Sequence, residues 1–220
     1  MEQVNVITKP IIIEFLTDVF SKITGKCEAY LIGGAALTYW GKQNGTKDLD
    51  LIVPNIESLE NLLEVLLKEG FQVFLEPNSN FKKNVDKPIS VIRDDLLIDV
   101  FHVRTTHFTL TKSMANRAHN ILRKDHSKIS IASQEDLFLL KSATGRKSDS
   151  EVLRKLISPN FNWDILMHES YNQLQNGNFR ASFDIIAALY EADLIREEIL
   201  NNELYEDLKS SIHNQINNLK

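Results

Sequence analysis

Two aspartates one residue apart, Asp48 and Asp50, stand at the head of a run that is otherwise apolar, with Leu49 between them and Leu51, Ile52 and Val53 after. Strand side chains alternate between faces, so residues two apart project together. A strand over this run sends both carboxylates out from one end while its remainder is buried. Two like charges held side by side repel, and burial sharpens the repulsion. A cation between them relieves it, and a divalent metal is the economical choice. Upstream, residues 29–32 read as an apolar strand running into Gly33-Gly34. A short helix over 35–40 follows, then a polar loop rich in Gly, Lys and Asn.

The rest of the chain supplies a frame for this stretch. Apolar residues at helical spacing over 11–23 predict an amphipathic opening helix. After Val53, Pro54-Asn55 breaks the strand, and Ser58 or Asn55 caps a helix through Leu67 with Leu59, Leu62, Leu63, Leu66 and Leu67 as its stripe. Gly70 stops that helix, residues 71–75 read as a strand, and 76–87 as a loop. Two strands over 89–93 and 96–103 are joined tightly at Asp94-Asp95. The periodicity then predicts a helix over 112–124, a short strand over 128–132 and a helix opened by Ser133 as N-cap with Asp136 at N3. From Asp149 everything reads as helical: 149–157, 163–175, 179–193 and 196–219. The expected fold is α/β (α+β), a mixed sheet flanked by helices with a helical C-terminal part, divided into residues 1–155 and 156–220.

A 220-residue chain with 43% hydrophobic and 25% charged residues has enough apolar material for a core. A single cysteine, Cys27, excludes an internal disulfide and a Cys-only zinc site, and fits a reducing compartment. The apolar patch at 11–13 is interrupted by Glu14 and Asp18, too short and too charged for a signal peptide or a membrane span. A cytoplasmic protein is the expectation, without a membrane partner. Of the net charge of -5, the segment 190–220 carries seven acidic against three basic residues. By contrast, Arg104, Lys112, Arg117, Arg123, Lys124 and Lys128 face only Asp125 over 104–128. Such a segment attracts a nucleic acid or a triphosphate, or is simply a solvated helix face.

Gly-Gly, thirteen residues, then Asp-x-Asp at the head of an apolar strand resembles the signature of the DNA polymerase beta-type nucleotidyltransferase superfamily. Within it the chain is similar to the small nucleotidyltransferase-like group, related to the toxin-like nucleotidyltransferases of abortive-infection systems. The resemblance covers about the first 155 residues. It implies transfer of a nucleoside monophosphate from a nucleoside triphosphate to a hydroxyl. It also implies Mg2+, as two ions for which Mn2+ can substitute, held by two carboxylates on one strand and a third on a neighbour. Asp48 and Asp50 are the first two. The third is Asp99, a carboxylate inside the apolar strand 96–101, where an unpaired charge is expensive; the resemblance carries the base-and-metal role onto it. Asp94 and Asp95 read instead as turn residues.

Gly33 and Gly34 would let the backbone approach phosphates, or form a plain tight turn. Thr46 and Lys47 flank the carboxylates, as nucleotide contacts or as loop surface. The plainer alternatives are a strand-opening turn for Asp48 and an ion pair with Lys47 or another base for Asp50. A second cluster runs from Lys141 to Asp149. By the resemblance Lys141 would hold triphosphate oxygens and Asp149 would orient it or help build the pocket, while Arg146 would add a bidentate phosphate contact. The family pattern often has a further aspartate three positions on, where this chain has Val152. Arg146 and Lys147 also suit the end of a helix dipole. His102 and His107 lack a second ligand pair at zinc spacing, and His102 is expected on the strand face opposite Asp99.

Two classes of function follow. One is a metal-dependent nucleotidyltransferase acting on an RNA (a tRNA among them), a protein or a small-molecule hydroxyl, with phosphate-ester hydrolysis open at the same site. The other is a catalytically inactive nucleotidyltransferase-fold protein that binds a partner, antitoxin-like or scaffold, through its acidic C-terminal helices. The expected partners are a nucleoside triphosphate, an acceptor, and a cognate antitoxin or a second copy of the chain.

Overall fold

The computed structural model describes residues 6–74, 87–105 and 107–218. It falls into two compact units, one of Met1–Thr106 with Ala115–Ala132, the other of His107–Met114 with Ser133–Lys220. The expected boundary after residue 155 lies within the second unit, whose main part begins at Ser133.

The first unit is built on a seven-stranded mixed sheet in the order β3-β4-β5-β2-β1-β7-β6. Its strands are β1 (Glu28–Ile32), β2 (Asp48–Val53), β3 (Gln72–Val73), β4 (Ile89–Arg93), β5 (Leu96–His102), β6 (His119–Lys124) and β7 (Ser127–Ile131). β2 lies antiparallel to β1 and parallel to β5, and β1 lies parallel to β7. The apolar continuity of Leu51-Ile52-Val53 is explained by this central position. Leu49, Leu51 and Val53 are buried on one face, and Ile52 is buried on the other. Among the described residues, α1 (Lys9–Ser21), α2 (Gly33–Tyr39) and α3 (Ile56–Lys68) accompany the sheet. Asn55, not Ser58, caps α3, its side-chain oxygen accepting the Ser58 amide at 2.8 Å. Ser58 instead turns its hydroxyl to accept the Glu28 amide at 3.0 Å, tying α3 to β1. α3 packs on β2 and β5 and buries Leu59, Leu62, Val65 and Leu66.

Two expectations in this unit change. The helix predicted over 112–124 is a short helix, α4 (Lys112–Arg117), followed by β6. β6 is one arm of a hairpin with β7, its register shifting between Asn120 and Leu122, turned at Asp125, whose positive φ of 49° suits a tight turn. The basic residues of 104–128 therefore do not share one helix face, and Lys128 is paired with Glu28 at 3.3 Å. The expected loop at 76–87 lies, apart from Lys87, outside the described residues, as does the end of the strand expected over 71–75. The Asp94-Asp95 connection is as tight as expected, with Asp94 at φ 53° between β4 and β5.

The second unit is helical. Its helices are α5 (Gln134–Ser142), α6 (Ser150–Leu156), α7 (Trp163–Gln175), α8 (Ala181–Glu191), α9 (Glu197–Leu200) and α10 (Glu203–Asn218), with a 3-10 turn at Lys147–Asp149. The Ser133 cap forms as expected: its hydroxyl accepts the Asp136 amide at 3.2 Å and donates to the Asp136 carboxylate at 3.0 Å. The single helix expected over 196–219 is broken into α9 and α10 at Asn201–Asn202, where the Asn202 side chain accepts the Leu204 amide at 3.0 Å. α7 packs against α5, α8 and α10, around a core that includes Phe138, Leu166, Met167, Ile185 and Tyr205. His107–Met114 is stitched to α7 through polar side chains. Glu169, 1% exposed, accepts from the Thr111 and Ser113 hydroxyls at 2.7 Å each. Buried Gln173 meets both backbone groups of Thr109, at 2.8 and 2.7 Å. No described helix is long and apolar enough to cross a membrane.

Candidate active site

The sheet register decides which carboxylates can act together. Asp50 pairs directly with Asp99 across the parallel β2–β5 ladder, and Asp48 pairs with Leu97. Paired residues of neighbouring strands share a face, as do residues two apart on one strand. Asp48, Asp50 and Asp99 therefore lie on one face of two adjacent strands, all half-buried. Ser90 extends the row, since β4 sets it opposite Asp99. His102 pairs with Val53 and lies on the other face, as expected.

Hydroxyl groups support two of the three carboxylates. Thr46, buried, donates to Asp48 Oδ1 at 3.0 Å. Ser90 donates to Asp99 Oδ1 at 2.5 Å. A carboxylate has about four lone-pair sites, so the Thr46 bond leaves Asp48 acceptor capacity for an ion or substrate. Asp50 is placed differently. A Cβ added to Gly33 would collide with the Asp50 carboxylate. Gly33 also has φ 58°, in the left-handed region. Gly34 is equally confined, since its Cβ would meet Thr46 Oγ1 at 2.5 Å. The two glycines thus make room for the acidic row and its hydroxyl support. They also belong to α2, which begins at Gly33 rather than Ala35.

Gln43, which the sequence reading passed over, organises the loop that delivers Asp48. Its amide donates to the Gly34 carbonyl at 2.9 Å and the Gly45 carbonyl at 3.0 Å. Thr46 is pinned from the other side by a two-bond bridge with Ile7, at 2.7 and 3.0 Å. Lys47 is exposed. Within Lys42-Gln43-Asn44 nothing in the sequence sets Gln43 apart, and Ser90 becomes visible only once the β4–β5 register is known.

In the second unit, Lys141 Nζ lies 3.6 Å from Asp149 Oδ1, with both side chains mostly buried. Thr144 donates to the other oxygen of Asp149 at 2.8 Å. Arg146 is exposed. Asp149 therefore holds Lys141 in a fixed position, and Arg146 stands in solvent four residues beyond the end of α5.

The acidic row offers hard oxygen donors on one face, the donor chemistry that magnesium takes. As the side chains stand, no three His, Cys, Asp or Glu among the described residues are gathered closely enough to hold an ion. The fit is one of donor type and strand position.

Residues 12–187 match the family described as "Nucleotidyl transferase of unknown function (DUF2204)". The chain belongs to this family. No functionally curated protein matches it significantly. Among solved structures, ANT(2″)-Ia in complex with adenylyl-2″-tobramycin is 14% identical, over 80% of this chain and 95% of that one, with a TM-score of 0.43. An antigenic nucleotidyltransferase-like protein from Paracoccidioides brasiliensis is 16% identical over 97% and 91%, TM-score 0.35. JHP933 from Helicobacter pylori is 14% identical over 100% and 99%, TM-score 0.37. Membership of the nucleotidyl transferase family rests on the match over 12–187.

Proposed function

We propose that this chain is a metal-dependent nucleotidyltransferase that moves a nucleoside monophosphate from a nucleoside triphosphate onto a hydroxyl of an RNA, a protein or a small molecule. The observation that carries this reading is the register placing Asp50 opposite Asp99, with Asp48 two residues away on the same face. Magnesium, or manganese in its place, held by Asp48, Asp50 and Asp99 would neutralise phosphate charge and acidify the acceptor hydroxyl. In the transfer, the acceptor oxygen forms the new bond to the α-phosphorus and pyrophosphate departs. Asp99 receives the hydroxyl proton, kept in line by Ser90. Thr46 holds Asp48 in place, and Gly33 and Gly34 keep the backbone beside them free of side chains. In the second unit, Lys141, fixed by Asp149, and the exposed Arg146 have the chemistry of phosphate-oxygen ligands.

Isothermal calorimetry of each of the four nucleoside triphosphates with Mg2+ tests this. Wild type is expected to bind at least one of them, and Asp48→Asn/Asp50→Asn to bind about a hundred-fold more weakly or not at all, with a melting temperature no lower than that of wild type. A second reading, a catalytically inactive partner-binding module, draws support from the ungathered state of the three carboxylates. A folded wild type that binds none of the four triphosphates would establish it in place of the first.

A further inference from the structure

The large apolar side chains left exposed differ in kind between the two units. Among the described residues of the first they are mostly aliphatic and scattered: Val6, Ile11, Ile56, Leu67, Val73 and the aromatic Phe74. Such singles need no explanation. In the second they are mostly aromatic, and three align along one helix. Phe183 and Tyr190 of α8 are 52% and 63% exposed, and Phe179, just before the helix, is 63% exposed. Ile186 and Ala187 lie between them, half-buried. The spacings 179, 183, 186–187 and 190 put all five on one side of α8. The opposite side, with Ala181, Ile185, Ala188 and Leu189, faces the unit's own core. Aromatic side chains dominate interface energetics, and these three stay more than half exposed on one helix face, Tyr190 with its hydroxyl beside that of Tyr205 in α10.

The charges beside the stripe say what fits it. Arg180 stands at the head of α8 and Glu191 is its last residue, both exposed. They are eleven residues apart, about three helical turns, so they flank the same edge of the stripe at opposite ends. A two-fold axis perpendicular to α8, lying in the contact plane, reverses the helix and keeps that edge on the same side. Each Arg180 then faces a Glu191 across the contact, twice over, while the aromatic residues meet in the middle. A parallel pairing forms neither ion pair. The helix is complementary to its own reversed copy, the requirement of an isologous interface.

We propose that α8 is the contact of an antiparallel homodimer, in which Phe179, Phe183 and Tyr190 of two copies interleave and Arg180 pairs with Glu191 across the two-fold axis. Three rings at about 150–250 Å² each, little more than half exposed, offer on the order of 300 Å² per copy. Over the two copies that is about 600 Å², short of the roughly 1,000 Å² of a stable interface, so the dimer is a weak one that forms only as the concentration rises.

Sedimentation velocity on the full chain, from low micromolar to a few hundred micromolar, tests this. Wild type is expected to pass from monomer to dimer. Phe183→Glu/Tyr190→Glu, with unchanged helical circular dichroism, should raise the dimer dissociation constant about ten-fold or more. Arg180→Glu and Glu191→Arg should each weaken the dimer about three-fold, and the double exchange should restore it. Restoration separates the cross-contact pair from the local Arg180–Asp184 pair at 3.5 Å, which the exchange does not repair. A wild type that stays monomeric throughout overturns the proposal. So does a dimer indifferent to the aromatic substitutions, or a double exchange no tighter than either single one.

Discussion

The two units handle buried negative charge in opposite ways. In the helical unit, Glu169 is sealed from water and both its oxygens are committed to hydroxyl donors of His107–Met114. In the sheet unit, Asp48, Asp50 and Asp99 are half-buried on one face, with hydroxyl support at two of them. A carboxylate enclosed by donors is a structural fastener, because removing it leaves those donors without a partner. Carboxylates aligned on one face of two adjacent strands make sense where something positive is to be held.

Substitution sharpens this contrast. The largest effect is expected from Glu169→Ala, which takes a buried acceptor from the half-buried Thr111 and Ser113 hydroxyls and leaves them, as donors, only their contact with each other at 2.9 Å. Urea denaturation should show a loss of about 2–4 kcal/mol; a loss below about 1 kcal/mol would erase the distinction between the units. Next comes Gly33→Ala, which places a methyl group where the Asp50 carboxylate lies and strains a left-handed backbone. A destabilisation of about 2 kcal/mol is expected, together with lost triphosphate binding; full binding by the folded variant would detach Gly33 from the site. The smallest effect at neutral pH belongs to Cys27, whose burial pushes its thiol from 9.0 up to about 12. The folded state resists ionisation that the unfolded chain undergoes, so this contribution is intact below about pH 9 and is lost as the pH rises toward about 12. Cys27→Ala should flatten that alkaline decline in a pH series of melting temperatures.

Much of the sheet unit was legible in the sequence because its signals are local. The alternation around Asp48 and Asp50, the Asp94-Asp95 turn and the Asn55 cap each need only a few neighbouring residues. What was not legible depends on register or on distance along the chain. The pairing of Asp50 with Asp99 is a fact of strand order, and Ser90 gains its partner only through it. Residues 112–124 read as helical because Met114, Ala118, Ile121 and Leu122 fall at helical intervals. The Asp125 turn and pairing with β7 override that period from 119 onward. Gln43 and Glu169 look like surface residues by type, and only their partners reveal otherwise. Lys141 and Asp149 do form an ion pair, despite Val152 standing where the family pattern often has an acid.

The stitching of His107–Met114 to α7 bears on how this protein can be taken apart. The chain passes from one unit to the other after residues 106, 114 and 132, so no single cut separates them. A fragment beginning at Ser133 would have Glu169 and Gln173 but not the threonines and serine that satisfy them. Dissection by truncation would therefore report on an injured helical unit. A graft carrying residues 107–114 along with it, joined by a designed linker, is the smallest piece that retains its own hydrogen-bonded seam.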